Sequence, residues 1–109
     1  MMNLTPFHIE QHEAEGRIIL SLSGELDLSV IPQLGAALEP VVDRTDRGLE
    51  LNLKNLTYID STGIGVIVSV LKIRHALKAP FVVREIPPGI QRLFDMTGIS
   101  SHLSEGIEN

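Results

Sequence analysis

Apolar and polar residues alternate in two early segments of the chain, residues 7–10 and 17–23. Such alternation is typical of a β-strand with one buried face. The turn-forming residues between them, 13–16, predict that the two segments form a β-hairpin. The block that follows, residues 24–27 (Gly-Glu-Leu-Asp), is predicted to be a turn.

Further strands are predicted in the second half of the chain. Leucine occupies every second position of residues 49–54, which predicts a strand with one covered face, followed by a loop over residues 55–60. A short apolar run predicts another strand over residues 81–86, and residues 99–103 are a candidate edge strand.

Helical spacing appears twice outside the central segment. The first predicted helix has Ser29 as its N-cap, and Pro40 should kink it or end it early because proline removes a hydrogen-bond donor. The last predicted helix starts at residues 87–89 (Pro-Pro-Gly) and ends at Gly98. The apolar positions of the first helix are Ile31, Leu34, Leu38, Val41 and Val42.

The central helix, predicted over residues 62–77, carries too many large apolar side chains for one narrow stripe. We therefore expect it to be buried on most sides or to meet a partner. Asp60 precedes its start and basic residues gather at its end, which complements the helix dipole.

The order of these elements is ββαβαβα, with a final strand left open. This order predicts an α/β fold: a mixed, mostly parallel sheet of four to five strands, with βα crossovers and helices mainly on one face. A length of 109 residues fits a single domain, which we expect to span residues 1–109.

Composition excludes several classes of function. A net charge of -5 argues against binding nucleic acid, which requires clustered basic residues. The chain has no cysteine, and its four histidines are dispersed, so we expect no metal and no cofactor. It has no apolar run long enough to span a membrane and no secretory leader pattern, so we expect a cytoplasmic protein without direct membrane contact.

The most informative segment is the predicted helix start at residues 60–65 (Asp-Ser-Thr-Gly-Ile-Gly). A helix start has unpaired N–H groups and partial positive charge, so it accommodates a carboxylate or a phosphate. Ser61 is therefore an exposed candidate for phosphorylation, although Asp60 and Ser61 also fit a simple helix cap. Gly63 and Gly65 each weaken a helix by up to about 1 kcal/mol, which indicates that a packed neighbour, a phosphate or a partner protein approaches this backbone closely.

Catalytic and nucleotide-binding alternatives fit less well. Ser61 has no Gly-x-Ser-x-Gly surround and the chain has no P-loop. Residues 63–68 match a dinucleotide fingerprint only in part, because Val68 stands where the third glycine belongs. We therefore expect no enzymatic activity, and nucleotide binding ranks third among the hypotheses.

Three blocks appear in order along the chain: residues 24–27, residues 60–65 and residues 92–98 (Arg-Leu-Phe-Asp-Met-Thr-Gly). Together they resemble the STAS domain family, in particular the bacterial anti-sigma factor antagonists, and the resemblance covers nearly the whole chain. It implies a non-catalytic protein that binds an anti-sigma factor and thereby releases a sigma factor. It also implies that the anti-sigma factor is a GHKL-type, ATP- and magnesium-dependent serine kinase, and that a metal-dependent serine phosphatase reverses its action.

The resemblance places the phosphorylated serine at Ser61, with Thr62 as the less favoured acceptor. The expected partner-binding residues are Asp27, Asp60, Ser61, Thr62, Gly63, Gly65 and Val66. The rival hypothesis is a STAS adaptor without phosphorylation, such as a subunit of a lipid ABC transporter or of a stress-sensing scaffold.

Overall fold

The computed structural model describes residues 6–100, which form one four-stranded sheet and three α-helices. In chain order the elements are β1 (His8–Ala14), β2 (Arg17–Leu26), a 3₁₀ helix (Leu28–Val30), α1 (Ile31–Leu38), β3 (Gly48–Ile59), α2 (Ser61–Ala76), β4 (Phe81–Arg84) and α3 (Pro88–Thr97). None of these helices is long and apolar enough to cross a membrane.

The sheet has the order β1-β2-β3-β4. Strands β1 and β2 are antiparallel, whereas β2 pairs with β3 and β3 pairs with β4 in parallel. The predicted α/β class with a mixed, mostly parallel sheet is therefore confirmed. Of the proposed fifth strand, Ile99 and Ser100 are helical, and residues 101–103 lie outside the described residues.

One face of the sheet packs against the helices. Every second residue of β2 is buried, and the residues between them are half-buried. The core formed on this face combines strand residues with residues from all three α-helices, among them Leu34, Ile67 and Phe94. The alternation seen in the sequence thus places the helices on one face, as predicted.

The predictions of two connecting segments, a turn and a loop, are wrong, because most of each segment is β-strand. Of the predicted turn at residues 24–27, residues 24–26 are the end of β2, and of the predicted loop at 55–60, residues 55–59 are the end of β3. Parallel pairing of Gly24 with Leu56 and of Leu26 with Ile59 extends both strands, and register shifts accompany a break in the alternation of burial along β3. Periodicity alone misses the end of β3 because a bulge moves side chains to the other face.

The predicted N-cap at Ser29 is also wrong. Asp27 caps the 3₁₀ helix, and the backbone N–H of Ser29 donates to its carboxylate at 3.0 Å. Helix α1 ends at Leu38, which confirms the early end predicted from Pro40. Helix α3 ends at Gly98 in the left-handed conformation, with φ 81°, as its sequence predicts.

Helix α2 is not buried on most sides. Only Gly63, Ile67, Val70 and Arg74 are buried, and they form one stripe along the helix. Ile73 remains 42% exposed. The half-buried side chains of Ile64, Val66, Val68 and Leu71 also pack against the core, so Ile73 is the one large apolar side chain of α2 that is exposed.

The sequence suggested that Arg74 is a surface residue that complements the helix dipole, but the structure shows that it is buried. It is 1% exposed, and its guanidinium donates to four backbone carbonyls. The bonds to Arg44 and Arg47 are 2.7 Å each. Arg74 thereby fixes the connection between α1 and β3 against the end of α2.

Candidate functional site

Asp60 organises the start of α2. Its Oδ1 accepts hydrogen bonds from the backbone N–H groups of Thr62, at 3.0 Å, and Gly63, at 3.1 Å, and from the Thr62 hydroxyl. These bonds satisfy two of the N–H groups that a helix start leaves unpaired. The predicted cap is therefore confirmed for Asp60, which leaves Ser61 free for another role.

The same contacts stabilise the ionised form of Asp60. The hydrogen bond from the Thr62 side chain, followed by that from the Gly63 N–H, holds the pKa of Asp60 below its usual range. The backbone N–H of Leu28 makes a smaller contribution in the same direction. The site thus keeps a fixed negative charge at neutral pH.

The two hydroxyl groups that follow Asp60 have different environments. Ser61 is the first residue of α2 and is exposed, and its hydroxyl makes no hydrogen bond within residues 6–100. Thr62 is half-buried, and its hydroxyl donates to Asp60. Of the two, only the Ser61 hydroxyl is both accessible and unengaged.

Asp27 lies beside the start of α2. The backbone N–H of Asp60 donates to the carbonyl of Leu26 at 3.2 Å and so joins the end of β2 to the start of α2. The Asp27 carboxylate accepts from the N–H and the hydroxyl of Ser29, at 3.0 and 2.6 Å. Two capped helix starts, each with a carboxylate, therefore stand next to each other.

The two glycines of the block serve different purposes. A Cβ atom added to Gly63 would lie 2.8 Å from both Leu26 Cγ and Ile59 Cγ1, so Gly63 permits close packing of α2 on the strand ends. Gly63 is buried, and its part in partner binding stays a prediction. Gly65 is exposed, and a Cβ atom there would meet nothing within 4 Å.

Gly65 and Val66 belong to an open groove of about 640 Å³ between α2 and the segment formed by the 3₁₀ helix and α1. Leu28, which is 67% exposed, lies at the end of the groove nearest the capped helix starts. The sequence analysis did not predict that α1 forms one wall of a groove beside α2. The available signal was the helical spacing of Leu28, Ile31 and Gly35 directly after Asp27.

Comparison with known proteins agrees with this geometry. Residues 9–105 match a family model described as "Mlab, STAS domain". The chain is 34% identical over 91 residues to an anti-sigma-B factor antagonist of Staphylococcus aureus, an alignment that covers 82% of this chain and 84% of the relative.

Two solved structures have the same fold. An anti-sigma factor antagonist from Mycobacterium paratuberculosis superposes with a TM-score of 0.77 at 20% identity, covering 94% of this chain and 92% of the other. The Bacillus cell fate determinant SpoIIAA in its phosphorylated form gives a TM-score of 0.69 at 20% identity, covering 88% and 86%.

Fold, capped helix start and sequence match together define a STAS domain. Within that class the chain belongs to the anti-sigma factor antagonist family, whose members are non-enzymatic regulatory proteins.

Proposed function

We propose that this protein binds an anti-sigma factor that is also a serine kinase, and that phosphorylation of Ser61 ends the binding. While the anti-sigma factor is bound, its sigma factor is released. A metal-dependent serine phosphatase returns the protein to its binding form. The observation that carries this proposal is the exposed, unengaged Ser61 hydroxyl at the first position of α2.

The contrast with Thr62 supports Ser61 as the acceptor. A kinase must bring the hydroxyl oxygen in line with the γ-phosphate of ATP. The Ser61 hydroxyl is available for this, whereas the Thr62 hydroxyl is half-buried and donates to Asp60. Phosphorylation of Thr62 would first require the bond from its hydroxyl to Asp60 to break.

The charge of a phosphate explains how one modification ends binding. Phosphorylation adds roughly -1.5 to -2 charges at neutral pH, which the start of a helix tolerates locally. The added charge stands next to the carboxylates of Asp60 and Asp27. A partner docked closely on this surface would meet like-charge repulsion and a hydrated obstacle, and each 1.4 kcal/mol lost weakens binding about tenfold.

The proposed contact surface contains Asp27, Asp60, Ser61, Thr62, Gly65 and Val66. Exposed Leu28 adds an apolar contact beside the two carboxylates. Fixed charges beside an apolar side chain suit a partner surface that combines basic and apolar residues.

The test is a capture experiment in lysate of the source organism with four baits: wild type, Ser61→Ala, Ser61→Asp and Gln33→Glu. Gln33 is exposed on α1 and does not line the groove, so Gln33→Glu adds a negative charge away from the proposed surface. Retained proteins are identified by mass spectrometry.

We expect a GHKL-type kinase on the wild-type, Ser61→Ala and Gln33→Glu baits and its absence from Ser61→Asp. Equal retention of the same partner by Ser61→Ala and Ser61→Asp would contradict the switch. If that common partner were a transporter or scaffold subunit, the chain would be a constitutive STAS adaptor, with Ser61 only part of a helix cap.

A further inference from the structure

Strand β1 is an exposed edge of the sheet. It lies at one end of the strand order, and within residues 6–100 it pairs with β2 alone. All of its residues except Ile9 are exposed, and in that part of the chain it makes no backbone hydrogen bond outside the β1–β2 ladder. One row of its N–H and C=O groups is therefore available to a further strand.

β1 lacks the features that usually prevent such pairing. Natural edge strands are protected by lysine, by proline, by bulges or by very short length. β1 has seven residues, none of which is lysine, proline or glycine, and it pairs with β2 residue for residue without a register shift. The strand at the opposite edge, β4, has only four residues. Of the two edges, β1 is therefore the one suited to receive a partner strand.

The sequence of β1 is complementary to itself in the reverse direction. When two copies of β1 pair antiparallel along their full length, Gln11 lies opposite Gln11 of the second copy. In this register Glu10 lies opposite His12 of the second copy, and the two-fold symmetry makes this pair twice. Moving the centre by one residue would place Glu10 opposite Glu10 or His12 opposite His12, and such like pairs are unfavourable. The full-length register is thus also the one with complementary side chains.

Glu10 can accept a hydrogen bond from His12 of the second copy in either charge state of the imidazole. A neutral imidazole donates one N–H, and a protonated imidazole adds charge attraction. Within one chain, Nε2 of His8 lies 3.9 Å from Oε2 of Glu10, and Nε2 of His12 lies 3.9 Å from Oε1 of Glu10. Pairing therefore places both Glu10 carboxylates among the imidazoles of the two copies.

We propose that two copies of this chain associate through their β1 strands and form one continuous sheet, with four strands from each copy. Antiparallel pairing relates the copies by a two-fold axis, so both use the same surface. The pairing adds roughly six to eight backbone hydrogen bonds. Because the strands of the two copies run in opposite directions, the two Ser61 sites lie at opposite ends of the dimer and both stay accessible. The inference does not depend on the proposed function.

A single cysteine tests the register, because the chain has no cysteine of its own. Gln11→Cys places two thiols on directly opposite residues, whose Cα atoms would be about 4.5–5.5 Å apart, within the range of a disulfide. Glu13→Cys is the matched control, because Glu13 is exposed on the same strand and the same face. In the proposed register the two control thiols would lie four residues apart along the strands, about 13 Å, which is too far for a disulfide. Both full-length variants are oxidised mildly at equal concentration and analysed by non-reducing gel electrophoresis.

An exchange of the opposing side chains tests the complementarity. Glu10→His and His12→Glu each place like side chains opposite one another, whereas the double variant restores unlike pairs in reversed order. Sedimentation equilibrium of the purified wild type and the three variants, over about a hundredfold range of protein concentration, measures the dissociation constant of the dimer. Circular dichroism checks that each variant is folded.

We expect a disulfide-linked dimer with Gln11→Cys but not with Glu13→Cys, and a concentration-dependent dimer of the wild type. Each single exchange should raise the dissociation constant about fivefold, and the double exchange should return it to within about twofold of wild type. A wild type that stays monomeric over the whole range, or equal crosslinking at the two positions, would overturn the inference. So would single exchanges without effect or a double variant no better than they are. Since these experiments use the purified chain alone, none of these outcomes bears on the role proposed for Ser61.

Discussion

Gly63 and Gly65 provide a matched pair of substitutions in one helix. Gly63→Ala places a methyl group 2.8 Å from Leu26 Cγ and from Ile59 Cγ1, and 3.1 Å from Leu26 Cδ2. Carbon atoms in good contact are about 3.5–4.0 Å apart, so the strand ends or α2 must move. Gly65→Ala places the same methyl group in open space.

The expected effects have opposite signs. At position 63, alanine gains about 1 kcal/mol of helix propensity but overpacks a fully buried contact, which costs about 1–3 kcal/mol. Leu26 and Ile59 are 0% and 3% exposed and have little room to rotate away, so we expect net destabilisation of up to about 2 kcal/mol. At position 65 only the propensity gain remains, and we expect stabilisation of up to about 1 kcal/mol.

Urea unfolding followed by circular dichroism measures both effects against wild type. The urea dependence of the unfolding free energy should stay the same, so that midpoint shifts report stability. Stabilisation by Gly63→Ala, or equal effects of the two substitutions, would refute the claim that Gly63 is required for packing of α2 on the strand ends.

Three further predictions concern the residues that hold the site in place. Arg74→Met should destabilise the fold by about 3 kcal/mol in urea unfolding, because it leaves part-buried carbonyls without donors at about 1–3 kcal/mol each; an effect below about 1 kcal/mol would contradict this role. Because the pKa of Asp60 is lowered in the fold, its contribution to stability is present above its unfolded pKa of about 4 and is lost as pH falls through the folded value. The stability difference between wild type and Asp60→Asn should therefore be largest near pH 7 and shrink below about pH 4 in urea titrations; a difference that grows on acidification would contradict the assignment. Asp27→Ala should lose about 1 kcal/mol of cap stability in thermal unfolding and also bind the anti-sigma factor more weakly in capture assays, whereas Asp27→Asn should keep the cap and lose only affinity. Loss of the cooperative transition in Asp27→Ala would show that the residue is mainly structural.

The sequence predicted the fold class and the helix start at Asp60 because both depend on local patterns. Alternating leucines marked the strands, and the carboxylate before a long apolar helix marked the cap. The ends of β2 and β3 were missed because they form through parallel pairing with register shifts, which depends on contacts between residues distant in sequence.

The roles of Arg74 and Gly63 were also beyond a local interpretation. Arg74 has the spacing of a basic residue at a helix end, but the carbonyls that surround it come mainly from the segment before β3. Gly63 was known to need a close neighbour, but only the packing of Leu26 and Ile59 identified that neighbour.

The most direct test of the central claim is the affinity of two forms of the purified chain for the kinase retained on the Ser61→Ala bait. One form is unmodified and the other carries phosphoserine at position 61, introduced during translation, and both are measured by isothermal titration calorimetry. We predict that phosphorylation weakens binding at least a hundredfold, which corresponds to about 2.7 kcal/mol. Equal affinity of the two forms would contradict the account of Ser61 as the switch.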